Sequence, residues 1–215
     1  MQAFSFKIQQ RLLEAPVLTT TPSETGRVLL PKRIVLTGFM GAGKSALGPL
    51  VAQHLGWKFL DLDDEIVRAE EKSIAEIFDA GGEARFRELE QGALVNTLKL
   101  ERVVLALGGG AIETEANRQV LQKDTGTLLL YLAAPLDVLI ARCEQQQLER
   151  KAARRPILEK RAELMERFQR RRPLYELADW TLDTNGQTLD ELVECFLARW
   201  KTAPWNSAPE GQEGT

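Results

Sequence analysis

Residues Gly38 to Ser45, GFMGAGKS, fill every position of the pattern G-x-x-x-x-G-K-[ST] directly after the apolar run Ile34-Val35-Leu36. In this pattern the glycines let consecutive backbone N–H groups turn inward on phosphate oxygens, and the helix that follows adds the positive end of its dipole. Lys44 then reaches the β- and γ-phosphates, and Ser45 offers its hydroxyl to Mg²⁺. The chain is therefore expected to bind a nucleoside triphosphate through Gly41, Ala42, Gly43, Lys44, Ser45 and Ala46. Gly41 to Ala46 also spells G-x-G-x-x-A, with Asp61 and Asp63 about twenty residues on, the outline of a dinucleotide site. Against that reading, Gly38-Phe39-Met40 separates these glycines from the strand end, and a dinucleotide has no use for Lys44-Ser45.

A phosphate loop serves kinases and GTPases alike, so the remaining constellations decide. No guanine-reading N-K-x-D is present, and Asp79-Ala80-Gly81-Gly82, which imitates D-x-x-G, follows the helical pattern Ser73 to Phe78 and not a strand. It reads as a helix C-cap and turn. The second apolar run, Phe59-Leu60, ends at Asp61-Leu62-Asp63-Asp64. In open parallel sheets the carboxyl ends of strands line the ligand crevice, so these carboxylates face the phosphates. One of Asp61 and Asp63 suits ordering Mg²⁺ and another suits holding or deprotonating an acceptor hydroxyl, whereas Asp64 is expected to cap the next helix.

Leu107-Gly108-Gly109-Gly110 closes the third apolar run at the same edge, either as a plain turn or as a place where a small ligand meets backbone N–H groups. Arg87, Arg155 and Arg171 are unremarkable as single surface cations. The segment Arg142 to Arg161 carries seven basic and three acidic residues with little apolar content. That composition fits a mobile arm closing over phosphates, a solvated face or an RNA-binding patch, and RNA is the least compatible with a chain of net charge −3.

These groups need a scaffold, and the chain alternates strand and helix patterns. Arg33 to Thr37, Lys58 to Leu60, Val103 to Leu107, Thr127 to Leu132 and Asp179 to Leu182 read as strands, which implies a parallel sheet covered by helices on both faces. The last helix carries Leu189, Leu192, Val193, Phe196, Leu197 and Trp200 at helical spacing behind a Thr188-x-x-Glu191 capping box, while Phe86, Leu89, Ala93 and Leu94 form a second stripe beside Arg87. One α/β domain is expected over residues 33–201, preceded by a loosely held extension at 1–32 and followed by a disordered tail at 202–215. The longest apolar stretch, Leu128 to Leu136, is too short to span a bilayer. Cys143 and Cys195 have no close cysteine partner and His54 is the single histidine, so neither a disulfide framework nor a zinc cluster is indicated, and a reducing cytoplasm fits.

GFMGAGKS, FLDLDDEI, SIAEIF followed by FRELE, LGGGA, RRPIL and RRRPLYELAD, in that order, resemble the shikimate kinase family over about Arg33 to Trp200. The resemblance implies a P-loop NTPase fold of the nucleoside-monophosphate-kinase type and transfer of the ATP γ-phosphoryl group to the 3-hydroxyl of shikimate, with Mg²⁺. It further implies that Asp63 binds the acceptor hydroxyls and serves as base, that Asp61 supports the metal with Ser45, and that Arg87, Arg171, Gly109 and Gly110 form the acceptor pocket. Arg155, in a lid near 145–156, would approach the phosphates. Ala46 stands where the family has Thr or Ser, the lid is longer than usual, and Asn185 to Thr188 match the adenine-binding segment poorly. ATP and shikimate are the expected partners of a monomer that binds neither nucleic acid nor membrane. A kinase for another hydroxy acid such as gluconate, and a regulatory nucleotide-binding module without turnover, are the alternatives.

Overall fold

Strands that are apolar at every position are stable only where both faces of the sheet are covered, and the central strands obey this. In a computed structural model, which describes residues 30–150 and 161–206, β1 (Arg33–Thr37) and β3 (Val103–Ala106) are buried along their whole length. β4 (Thr127–Ala133) is buried from Leu128 to Leu132. β2 (Lys58–Asp61) and β5 (Trp180–Asp183) form the edges of a five-stranded, wholly parallel sheet in the order β2-β3-β1-β4-β5. The central parallel sheet flanked by helices that the alternation implies is thus present, with strand ends within a residue of those expected.

Seven α-helices connect or follow these strands among the described residues: α1 (Lys44–Leu55), α2 (Leu62–Glu70), α3 (Ile74–Thr97), α4 (Glu115–Lys123), α5 (Leu136–Arg150), α6 (Arg161–Tyr175) and α7 (Leu189–Thr202). The first two open in opposite electrostatic styles. α1 has no acidic residue in its first turn, and its N-cap, Gly43, has no side chain to offer, so the positive helix end is left for an external anion. α2 supplies its own anions, with Asp63, Asp64 and Glu65 in the first turn. Its cap is Asp61, whose Oδ1 accepts the Asp63 N–H at 3.1 Å, and not Asp64 as the sequence led us to expect, because Leu62 already begins the helix.

Asp79 to Gly82 end a helical segment as expected: Gly82, at φ 67° and ψ −170°, breaks α3 there into two segments joined at a kink, and the second buries Phe86, Glu90 and Leu94. The capping box of α7 is formed on both sides, and Leu192, Val193, Phe196 and Trp200 make its buried stripe, whereas Leu189 faces solvent.

Order extends slightly past both expected domain boundaries. Pro31 is buried, and Lys32 accepts the Arg102 N–H at 2.6 Å while donating to Gly126 O at 2.8 Å. At the other end Ala203 is buried and a short turn, Pro204–Asn206, stacks Trp205 on Trp180 with ring centroids 5.4 Å apart. Residues 203–206 therefore belong to the packed domain and not to a tail. Residues 1–29 and 207–215, the bulk of the expected extension and tail, lie outside the described residues. No helix among the described residues is long and apolar enough to cross a membrane.

All four tryptophans meet in one cluster, since Trp200 also contacts Trp57 at 5.6 Å and Trp205 at 5.5 Å. Trp205→Ala is expected to lower stability by roughly 1–3 kcal/mol through the two lost ring contacts and their buried area. Urea unfolding followed by circular dichroism checks this, and an unchanged midpoint would return Trp205 to the tail.

Candidate active site

Leu36 and Asp61 both lie beside Ala106 in the sheet register, so β1, β2 and β3 end level. The segments that follow them, Gly38 to Gly43, Asp61 to Asp63 and Gly108 to Gly110, consequently emerge side by side at the carboxyl edge. The phosphate loop is pressed against α5. At Gly41, φ is +75° and a Cβ would stand 2.4 Å from Leu139 O and 2.9 Å from Cys143 Sγ, a position that only glycine fills. Phe39, in the variable part of the loop, is buried and packs edge-on against Phe168 of α6 at 5.3 Å.

Lys44 folds back into this loop, its Nζ donating to Gly38 O at 2.8 Å and Phe39 O at 3.1 Å. Burial lowers its pKa to about 8, against the upward pull of the Asp61 and Asp63 carboxylates. Ser45 Oγ donates to Asp61 Oδ2 at 2.9 Å. A hydroxyl and a carboxylate side by side at the loop are oxygen donors suited to Mg²⁺. Among the described residues no group of three or more acidic, histidine or cysteine side chains could hold a metal by itself, so such an ion would draw its other ligands from phosphate and water, as Mg²⁺ does readily.

On the opposite side of the crevice, Asp63 and Glu90 approach the same point. A Cβ on Gly108 would stand 2.8 Å from Asp63 Oδ1 and 3.4 Å from Glu90 Oε1, and both oxygens are buried without a hydrogen-bond partner. Burial and the neighbouring Asp61 carboxylate hold Asp63 above the usual aspartate range. Burial raises Glu90 as well, opposed by Arg87, whose Nη1 donates to Glu90 Oε2 at 2.8 Å. A carboxylate with an unsatisfied oxygen at the strand edge is ready to accept a proton or a hydroxyl hydrogen bond.

Two guanidinium groups close the pocket. A Cβ on Gly110 would lie 2.7 Å from Arg87 Nη2 and 3.0 Å from Arg171 Nη2, and one on Gly109 would lie 3.7 Å from Arg171 Nη1. Arg171 is only 7% exposed, sits over the Phe39 ring at 5.9 Å, and pairs with Glu113 at 2.6 Å. Tyr175, fully buried and stacked on Tyr131, donates its hydroxyl to Gly109 O at 2.6 Å and so fixes the glycine turn. Two cationic forks facing one small space are suited to a single carboxylate.

Lys44, Ser45, Asp61, Asp63, Arg87, Gly109, Gly110 and Arg171 are thus brought to one crevice, together with Gly41, Ala42, Gly43 and Ala46 of the loop. Arg155 and the second half of the expected lid lie outside the described residues, and positions 145–150 of that segment are the end of α5. The sequence reading missed Glu90, Glu113, Tyr175 and Phe39. Glu90 carried a signal, because it lies three residues after Arg87 on one helix, the spacing at which such charges meet.

With its pKa near 8, Lys44 is protonated at pH 6.5 and largely neutral by pH 9, whereas bound phosphates restore its charge. Nucleotide binding should therefore take up protons at pH 8.5, little at pH 6.5, and none attributable to this site in Lys44→Met. Calorimetry with a non-hydrolysable ATP analogue in buffers of different ionisation enthalpy measures this directly. Equal uptake in the parent and Lys44→Met at pH 8.5 would show that Lys44 is not the titrating group.

Comparison with known proteins agrees with this geometry. A family model described as shikimate kinase matches residues 40–201. The chain is 43% identical over 182 residues to a shikimate kinase from Salinibacter ruber, covering 80% of this chain and 88% of that protein. Among solved structures, a shikimate kinase from Acinetobacter baumannii in complex with shikimate is 34% identical with a TM-score of 0.67, over 78% of this chain and 91% of the other. The Aquifex aeolicus shikimate kinase is 32% identical with a TM-score of 0.68, over 80% and 99%. With the phosphate loop, the strand-edge carboxylates and the paired guanidinium groups in one crevice, and a family match over most of its length, this chain belongs to the shikimate kinase family.

Proposed function

We infer that the chain transfers the γ-phosphoryl group of ATP to the 3-hydroxyl of shikimate, giving shikimate 3-phosphate and ADP. The observation that carries this reading is the meeting of Lys44 and Asp63 with Arg87 and Arg171, a phosphate cation and a carboxylate base beside a carboxylate clamp. The clamp favours an acceptor bearing one carboxylate. Close identity to shikimate kinases speaks for shikimate over gluconate, and Lys44, Ser45, Asp61 and Asp63 together speak against a module without turnover.

Phosphoryl transfer asks the protein mainly for alignment and for charge to meet charge. The N–H groups at the start of α1 and the Lys44 ammonium hold the phosphates, Lys44 exchanging the Gly38 and Phe39 carbonyls for phosphate oxygens. Arg87 and Arg171 grip the shikimate carboxylate beside Gly109 and Gly110, which sets the ring so that its 3-hydroxyl meets Asp63. The hydroxyl oxygen forms a bond to the γ-phosphorus as the bond from that phosphorus to the β–γ bridging oxygen breaks, and Asp63 takes the hydroxyl proton. Ser45 and Asp61 would hold Mg²⁺, which supplies further positive charge to the phosphate oxygens. Arg155 is proposed to approach the transferring group from the lid. A monomer in a reducing cytoplasm is the proposed setting, and Cys143 and Cys195, which form no disulfide, are compatible with that compartment.

An assay of ADP release with shikimate, gluconate or no acceptor tests the assignment. Turnover is expected with shikimate alone, and equal rates without acceptor would overturn it. In the same assay Asp63→Asn should lose on the order of 10²–10⁴ in rate with ATP binding retained, the scale of general-base catalysis. Arg87→Ala should instead raise the apparent KM for shikimate with little change for ATP. A parental rate for Asp63→Asn would assign Asp63 a role in the α2 helix start and not in catalysis.

A further inference from the structure

The two clamp arginines are compensated by carboxylates from different places in the chain. Arg87 uses Glu90 at 2.8 Å and Glu83 at 3.2 Å, both on its own helix. Arg171 on α6 uses Glu113, which ends the short turn Ala111–Glu113 immediately after the glycine triad. Glu113 is anchored at that spot, since its N–H donates to Gly110 O at 2.9 Å and its carbonyl accepts from Arg118 Nη1 at 2.8 Å. Its two carboxylate oxygens divide between neighbours on α6: Oε1 takes Arg170 Nε at 2.9 Å and Oε2 takes Arg171 Nη2 at 2.6 Å. Burial opposes the charge on Glu113, but the hydrogen bonds from these arginines outweigh it and leave its pKa below the ordinary glutamate value.

Glu113 is the carboxylate paired with Arg171 among the described residues, and the Tyr175 hydroxyl is a further, neutral neighbour of that guanidinium. The Arg171 Nε is buried without a hydrogen-bond partner, and the Phe39 ring constrains the face of the guanidinium but not the direction of its N–H groups. Arg87 Nη2 and Arg171 Nη2 also converge on the same point above Gly110, so repulsion between the two cations would drive Arg171 away if it lost Glu113.

We propose that Glu113 is a positioning residue of the acceptor site: it joins the glycine turn to α6 and holds the Arg171 guanidinium beside Gly110, in the orientation that receives the substrate carboxylate. This rests on the shikimate reading above and adds a residue that determines acceptor affinity without touching the reacting atoms. A glutamate that merely joined two elements would matter to stability, and equally to every acceptor. One that acts through Arg171 matters to the carboxylate.

Steady-state kinetics of Glu113→Ala and Glu113→Gln, with shikimate and with its methyl ester, separate these roles. Glu113→Ala should raise the KM for shikimate about tenfold, the scale of one charge-assisted hydrogen bond, with kcat and the KM for ATP within about twofold of parental. Glu113→Gln, which keeps an acceptor oxygen but no charge, should fall between. The preference for the acid over the ester should shrink in both variants. In an Arg171→Ala background the second change, Glu113→Ala, should have almost no further effect, because the partner it acts through is gone. Additive losses in that double variant, equal losses for acid and ester, or a lower KM in Glu113→Ala would each overturn the proposal. If Glu113→Ala fails to fold by circular dichroism, Glu113→Gln and its double variant carry the same comparison. Parental protein that neither binds nor phosphorylates shikimate would instead remove the underlying reading, and this inference with it.

Discussion

The site depends on keeping charges compensated at a sheet edge that is partly closed to water. Four cationic or metal-directed groups meet there, and each is held by internal partners. Lys44 rests on the Gly38 and Phe39 carbonyls, Ser45 on Asp61, Arg87 on Glu90 and Arg171 on Glu113. In a medium of low dielectric an uncompensated charge costs several kcal/mol, so these contacts are a condition for placing the groups there at all. The Lys44 contacts, to two neutral carbonyls, are of the kind that incoming phosphate can replace.

Compensation also couples the two halves of the crevice. Phe39 belongs to the phosphate loop, yet its ring packs on Phe168 and lies under Arg171, both on α6. The glycine turn is joined to the same helix twice, by Tyr175 through Gly109 O and by Glu113 through Arg170 and Arg171. Nucleotide and acceptor pockets therefore share one rigid support, and alignment between a phosphate and a hydroxyl is what this chemistry requires.

Much of this was legible before any coordinates. The phosphate loop, the strand-edge aspartates and the alternating buried strands are local patterns, each set by backbone geometry or by burial on both faces, and each was found where its residues implied. The differences were local as well. The α2 cap moved from Asp64 to Asp61 because Leu62 already has helical geometry, whereas Gly82 breaks α3 where the glycine pair at Gly81-Gly82 implied a turn. Trp205 sits in a proline-bearing, polar stretch that reads as a tail, and only the stacked rings of Trp180 and Trp200 show that it packs.

What the sequence by itself determined is the chemistry that short-range pattern encodes: a phosphate loop with its Lys44 and Ser45, carboxylates at a strand end, and a parallel sheet to carry them. Spacing alone left Arg87 and Arg171 as cations without an address, and only the family resemblance assigned them to the acceptor pocket, since nothing within a few residues says that two arginines from α3 and α6 face one glycine. Tertiary structure decided that, along with the place of Glu113, which lies 57 residues from Arg170 in the chain. The physical reason is that ion pairing and packing act through space over a few ångströms, whereas sequence spacing reports on neighbours only as far as one helix or strand keeps its period.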